Sequence, residues 1–271
     1  MIQKEGRSFE KEVLIVDKRN TIVSATVIFV IMGIVMAVSA FGFGIRYGDP
    51  ELLRIAIFGE VASALFLVWY IRRHATFAAV GFLKLQARGL VWYIPLLLIV
   101  LFQVGLIVNA LFTTSLSSSV IQLVGIVFLT TLFVGFNEEV LFRGIILRYL
   151  RPNEHPYRAV LISALLFSSF HLLNLIALIP PAAMLFQLAN TFVFGVFFAI
   201  IALKLNNLWP LIIFHALWDF ASIAADVVNV NLGITSLLTQ VYLLVAIVIQ
   251  LILLKRHDLS HLNGPMNPRN V

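Results

Sequence analysis

The sequence predicts an all-α, polytopic membrane protein with about eight transmembrane helices. Of its 271 residues, 61% are hydrophobic and 12% are charged, whereas soluble domains carry about 25% charged residues. Apolar runs are long enough to cross a bilayer, which takes about 17–25 residues. Because lipid offers the backbone no hydrogen-bond partner, we expect each run to be a helix.

Eight such runs can be placed along the chain, near residues 21–45, 53–71, 90–112, 120–142, 158–178, 183–203, 209–226 and 236–254. Turn-forming residues separate them, as in Gly48-Asp49-Pro50, Pro180-Pro181 and Asn206-Asn207. We therefore predict a single transmembrane domain over residues 21–254. A cytoplasmic N-terminal segment at 1–20 precedes it, and a flexible cytoplasmic tail at 255–271 follows it.

The basic residues are distributed unevenly between the loops. Seventeen of the nineteen Lys and Arg lie in the two terminal segments, in the stretches 72–89 and 143–158, or at Lys204, and only Arg46 and Arg54 lie on the other side. Lys and Arg concentrate in cytoplasmic loops, so both termini are predicted to be cytoplasmic. Topology accounts for the net charge of +6, and no nucleic-acid partner is expected.

Three predicted helices carry ionisable residues at positions where apolar ones are expected. A charged side chain near the bilayer centre costs roughly 2.5–3.5 kcal/mol on insertion scales, so such residues usually mark a functional site. Each alone also has a structural explanation, such as a hydrogen-bonded packing histidine, but their combination favours function. The residues are Glu138, Glu139 and Arg143 in the fourth span, His171 in the fifth, and His215 and Asp219 in the seventh.

Helical spacing separates the two adjacent glutamates. Residues four apart share a helix face, which predicts that Glu139 pairs with Arg143. Glu138 lies about 100° further round the helix, so we expect it to have different neighbours from Glu139. Glu138 is then free for chemistry, and its predicted partner is His171 on the next span. By depth along the helices, we expect the site between the cytoplasmic half and the midplane, with water reaching it from the cytoplasm.

Several chemistries are excluded by what the chain lacks. It has no cysteine, and therefore no thiol nucleophile, thiolate ligand or disulfide. No histidine is followed by glutamate, which excludes the His-Glu-x-x-His zinc-protease motif, and no span carries a Gly-x-Ser-x-Gly elbow. What remains is a carboxylate–histidine pair that activates water, with a second histidine that stabilises an oxyanion.

Three motifs in this order resemble those of the CAAX protease and bacteriocin-processing family. They are Glu-Glu-x-x-x-Arg at 138–143, Phe-x-x-x-His at 167–171 and His-x-x-x-Asp at 215–219. The family, also called Abi, comprises glutamic-type intramembrane endopeptidases related to the Ras-converting enzyme. The similarity covers about residues 120–225, and the family also implies eight helices.

The resemblance implies a role for each motif residue. Glu138 and His171 would activate the attacking water, and His215 with Asp219 would form the oxyanion site. Glu139, Arg143, Phe167 and Asn174 would support it. Asp219 stands where eukaryotic and archaeal CAAX enzymes typically have Asn. An ionised Asp cannot donate a hydrogen bond, so Asp219 either carries a proton or orients His215.

The expected activity is therefore hydrolysis of a peptide bond in a peptide or protein substrate that is lipidated or membrane-inserted. No cofactor is expected, with zinc held by Glu138, His171 and His215 as the alternative. Other readings are a proton-coupled transporter and a non-catalytic immunity or scaffold protein that binds a peptide. The predicted location is the cell membrane of a bacterium or archaeon, in contact with lipid. Neither substrate identity nor oligomeric state is indicated.

Overall fold

The computed structural model describes residues 18–253, and within them the chain forms eight long apolar helices and no strand. The helices are α1 (Lys18–Ala37), α2 (Leu53–His74), α3 (Leu90–Thr113), α4 (Ser118–Glu138), α5 (Pro156–Phe170), α6 (Pro181–Leu205), α7 (Trp209–Val227) and α8 (Gly233–Leu253). Helix α1 continues through a π-helical turn to Gly42, and α2 follows a 3₁₀ turn at Pro50–Leu52. Helix α4 continues to Tyr149, and α5 is followed by a 3₁₀ turn at His171–Leu175.

All eight predicted spans are confirmed, and their apolar character makes this an integral membrane protein. Most ends fall within five residues of the predicted ones. The fourth span is the exception, because it runs to Tyr149 and not to residue 142. Arg143, which was counted with the cytoplasmic loop residues, is fully buried inside the bundle and does not end the helix. The predicted terminal segments lie outside the described residues, apart from Lys18–Asn20, which begin α1.

Close approach between α4 and α7 is possible because α4 has glycine at the contact. A Cβ atom at Gly135 would lie 2.7 Å from the carbonyl oxygen of Ile212 and 2.9 Å from the amide nitrogen of Ala216. Backbone atoms cannot move aside as a flexible side chain can, so only glycine fits at this position. The contact brings the carboxylates at the end of α4 beside the first turns of α7.

The two ends of the bundle differ in how they are closed. At the end that holds both the start of α1 and the end of α8, the 75–89 segment folds back under the helices. Leu208 N donates to Gly81 O (3.1 Å), Gln86 N donates to Leu205 O (2.8 Å), and Val80 is fully buried. A Cβ at Gly144 would lie 2.9 Å from Val80 O, so the segment lies tightly against α4. In the described part of the chain this segment covers the end of the bundle, which we call the termini end.

Candidate active site

The predicted charged residues meet where α4 changes its winding. The helix is α-helical to Glu138 and π-helical over Glu139–Ile146, where hydrogen bonds run from residue i to i+5. π-Helical turns occur frequently at functional sites. The motif Glu138-Glu139-x-x-x-Arg143 spans this change. All eight π-helical residues are buried, so the turn positions polar groups inside the bundle.

Glu139 and Arg143 form the predicted ion pair, and both side chains are fully buried. Arg143 Nη1 donates to Glu139 Oε1 at 2.9 Å. The Nε and Nη2 atoms of Arg143 have no hydrogen-bond partner in the described part of the chain. The guanidinium instead lies over two aromatic rings, 4.1 Å from the Phe167 centroid and 5.6 Å from that of Phe198. A desolvated cation–π contact contributes about 2 kcal/mol, which gives Phe167 a physical role in the site.

His215 shares the same Glu139 oxygen. Its Nδ1 lies 2.8 Å from Glu139 Oε1, and the side chain is 90% buried. The Glu139 carboxylate, which is paired with Arg143, can only accept a hydrogen bond, so Nδ1 of His215 is the donor. The imidazole is therefore fixed in orientation by Glu139. From the sequence, orientation of His215 was one of two alternative functions for Asp219.

The second nitrogen of His215 faces two more carboxyl groups. Its Nε2 lies 3.6 Å from Glu138 Oε2 and 3.5 Å from Asp219 Oδ2. The expectation that Glu138 and Glu139 have different neighbours was wrong, because both flank His215. The physical reason is that an imidazole presents nitrogens on two edges, so carboxylates that point in different directions can both reach it. A proton on Nε2, or on one of the two carboxyl groups, satisfies this arrangement.

His171 begins the 3₁₀ turn at the end of α5. Its Nδ1 lies 3.0 Å from the carbonyl oxygen of Phe167. A carbonyl only accepts, so Nδ1 carries the proton and Nε2 is left with its lone pair, as a base requires. No direct hydrogen bond joins His171 to Glu138 among the residues described. Their pairing through a shared water stays a prediction.

A cavity of about 910 Å³ brings the candidate residues together. Glu138, His171, His215 and Asp219 all line it, together with Phe167 and Asn174. Glu139 and Arg143 do not line it, since they lie behind His215. The charged residues therefore divide into a group that faces the cavity and a buried pair that positions one member of that group.

Two polar features of the cavity were not identified from the sequence. Glu60 on α2 is 96% buried and lines the cavity, and Asn137 Nδ2 donates to its Oε2 (2.6 Å) and to its carbonyl oxygen (2.8 Å). The available signal was a lone acidic residue in the second apolar run. Asn137 itself precedes the glutamate pair and is buried.

The second feature is a chain of hydrogen bonds across the cavity wall. Asn174 Nδ2 donates to Gln187 Oε1 (2.9 Å), and Gln187 Nε2 donates to the Tyr47 hydroxyl (2.5 Å). Gln187 lies on α6, and Asn190 on the same helix also lines the cavity. Burial raises the pKa of Tyr47 to about 12, so this hydroxyl stays protonated at physiological pH. It can donate its proton into the cavity.

The cavity opens at the end opposite the termini. Its lining includes residues of the α1–α2 loop and the ends of α7 and α8 that face the same way: Tyr47, Gly48, Asp49, Asp226 and Ser236. No residue of the 75–89 segment lines it. Water was expected to reach the site from the side of the termini, whereas the described lining residues extend to the opposite end.

Replacing Gly135 by alanine tests the close contact of α4 and α7. The added methyl would overlap the α7 backbone, and such overpacking costs about 1–3 kcal/mol. We expect lower thermal stability in detergent and a displaced His215. Gly125→Ala is the matched control on the same helix, because no atom lies within 4 Å of its Cβ position. Equal stability of the two variants would contradict the contact.

The family relationship was tested by comparison with known proteins. The family model described as Type II CAAX prenyl endopeptidase Rce1-like matches residues 120–221. No curated protein and no solved structure matches the chain. The matched segment contains all three motifs, from Glu138 to Asp219, while Tyr47 and Glu60 lie outside it. Residues 120–221 therefore form an Rce1-like domain, which supports membership of the CAAX protease family.

Proposed function

We propose that this protein hydrolyses a peptide bond inside the membrane with a water activated by Glu138 and His171. The observation that carries the proposal is the arrangement around His215. Glu139 fixes its Nδ1, and its Nε2 lies beside Glu138 and Asp219 at the wall of a cavity that His171 also lines. A base, a second base and a potential hydrogen-bond donor thus surround one space.

The steps follow from the chemistry of these groups. Water loses a proton to the Glu138 carboxylate or to His171 Nε2 as its oxygen attacks the carbonyl carbon. The carbonyl oxygen becomes an oxyanion, which accepts a hydrogen bond from His215 Nε2 when that nitrogen is protonated. The C–N bond then breaks, and the proton held by the base passes to the leaving amine.

Glu139 and Asp219 act on His215 in this scheme. The Glu139 carboxylate at Nδ1 and the Asp219 carboxylate near Nε2 both favour the imidazolium form, which is the form that can donate from Nε2. Arg143 pairs with Glu139 and holds its carboxylate in place. Asp219 then serves His215 as an ionised neighbour and need not donate to the oxyanion itself.

The function is tested by incubating the protein in liposomes with a peptide library and identifying the cleaved bonds. Cleavage is expected without added metal and in the presence of a chelator. The mechanism uses no cofactor, and in the described residues no group of three His, Asp or Glu has an arrangement suited to a metal ion. Loss of all cleavage on chelation would favour a zinc enzyme that uses Glu138, His171 and His215.

Charge in the cavity predicts a substrate preference. Among the described residues, no Lys or Arg lines the cavity, whereas five carboxylic residues do: Asp49, Glu60, Glu138, Asp219 and Asp226. A glutamate next to the cleaved bond would meet like charge, which costs affinity. We expect matched peptides with Glu there to be cleaved on the order of tenfold more slowly than those with Gln or Lys, a difference of about 1.4 kcal/mol. Faster cleavage of the Glu peptide would contradict this.

A further inference from the structure

The mouth of the cavity and the termini end lie at opposite ends of the bundle. Tyr47–Asp49, Asp226 and Ser236 surround the mouth, and the helix ends that carry them all lie away from Lys18 and Leu253. From there the cavity reaches inward to Glu138 and His215. A substrate must therefore approach the site from the end opposite the termini.

Among the described residues, a packed layer covers the termini end. Backbone hydrogen bonds join the 75–89 segment to residues 205–208 at Gly81–Leu208 and Gln86–Leu205, and Phe82 bridges to Asn207. Val80 and Leu208 are fully buried beneath the site, and Arg148 Nη2 bonds to Asn206 Oδ1 at 3.1 Å. This layer separates His215 from the solvent at the termini end.

The charges at the two ends indicate which one faces the cytoplasm. Without Arg143, which is buried and paired, sixteen Lys and Arg remain at the termini end or in the terminal segments. The mouth end has Arg46 and Arg54, together with the acidic residues Asp49, Glu51 and Asp226. Lys and Arg are retained on the cytoplasmic side during insertion, which indicates that the termini end faces the cytoplasm.

We propose that the active-site cavity opens at the non-cytoplasmic face of the membrane. Its substrates are then peptide segments exposed at the outer face of the membrane, such as the external part of a membrane-inserted or exported polypeptide. This inference about the class of substrate rests on the peptidase function proposed above. The direction of opening can be measured independently of cleavage.

The test uses single cysteines, since the chain has none of its own. Ser222→Cys places a near-isosteric thiol on α7, one turn beyond Asp219, in the cavity wall. Ser119→Cys at the exposed start of α4 marks the mouth end, and Ala87→Cys in the exposed part of the 75–89 segment marks the termini end. Intact cells are treated with a membrane-impermeant maleimide before and after permeabilisation.

The expected result is that Cys at 222 and at 119 is labelled in intact cells, and that Cys at 87 is labelled only after permeabilisation. The inference is overturned if the thiol at 222 reacts only after permeabilisation, or if it never reacts. It is equally overturned if 87 is labelled in intact cells, because the chain would then be inserted in the opposite orientation.

A cleavage measurement on the same labelled proteins separates this inference from the proposed function. A bulky polar adduct at 222 should fill the cavity and lower cleavage at least tenfold, whereas the same adduct at 119 should leave it unchanged. If the labelling pattern is as expected but the unlabelled wild type cleaves no peptide, the proposed function fails while the direction of opening stands. If the adduct at 222 leaves cleavage intact, the cavity is not the route of the substrate.

Discussion

Replacing Glu138 by glutamine is expected to lower the cleavage rate by on the order of 10²–10⁴-fold, the contribution typical of a general base. Glutamine has nearly the shape of glutamate but cannot accept the proton of the attacking water. Oε2 of Glu138 has no hydrogen-bond partner in the described part of the chain, and it lies 3.6 Å from His215 Nε2, so the substitution breaks no hydrogen bond at that atom. Thermal stability should therefore match that of the wild type.

Two further variants make this result specific. Glu154→Gln removes a carboxylate from an exposed pair with Arg151 and should leave cleavage unchanged, because exposed pairs contribute about 0–1 kcal/mol. Glu60→Gln removes a second carboxylate from the same cavity and distinguishes a general effect of cavity charge from the loss of the base. Cleavage by Glu138→Gln within a few-fold of wild type would contradict the mechanism, and so would equal losses in the Glu138 and Glu60 variants.

Much of the architecture could be predicted because membrane insertion is strongly reflected in composition. The eight apolar runs gave the eight helices, since a span must be both long and apolar. The end of the fourth span was wrong because the prediction treated Arg143 as a boundary. A charge ends a span only if it must reach water, and Arg143 is instead satisfied by Glu139 and two aromatic rings.

The site residues were found by the same reasoning, but their contacts were not. Ionisable residues in apolar runs are conspicuous, whereas their partners depend on how helices pack. The proximity of Glu138 and Glu139 to one histidine follows from the Gly135 contact with α7, which helical spacing within α4 does not reveal. Glu60 lay outside the three motifs and was overlooked, although a lone carboxylate in an apolar run was a sufficient reason to consider it.

The position of a residue along its helix could not indicate at which end of the bundle the cavity opens. Glu138 lies 11 residues before the end of α4 at Tyr149, so its position along the span suggested access from the termini end. Access depends on which loops cover the bundle. The stretch 72–89 carries four basic residues, a pattern typical of a solvent-exposed cytoplasmic loop, yet Val80 within it is fully buried under the helices.

Removing the Glu139–Arg143 pair in two steps should separate its effect on stability from its effect on cleavage. Arg143→Met leaves the Glu139 carboxylate buried without its main counter-charge, and breaking a buried pair in this way costs about 3–5 kcal/mol. The double variant Glu139→Gln/Arg143→Met removes both charges, and neutral replacement of a buried pair is often neutral for stability. We therefore expect denaturant unfolding in detergent micelles to show a large loss for the single variant and recovery for the double.

Cleavage should not recover with stability. In the double variant His215 Nδ1 faces an uncharged amide, so the imidazolium that donates to the oxyanion is no longer stabilised. Loss of one oxyanion donor costs about 10²–10³-fold in rate, and we expect a decrease of about that size in a fully folded protein. Arg54→Met, which removes the partner of Glu51 in an exposed pair, should change neither measurement. A double variant that regained both stability and cleavage would make Glu139 a structural residue alone, and His215 would then need no carboxylate at Nδ1 to act.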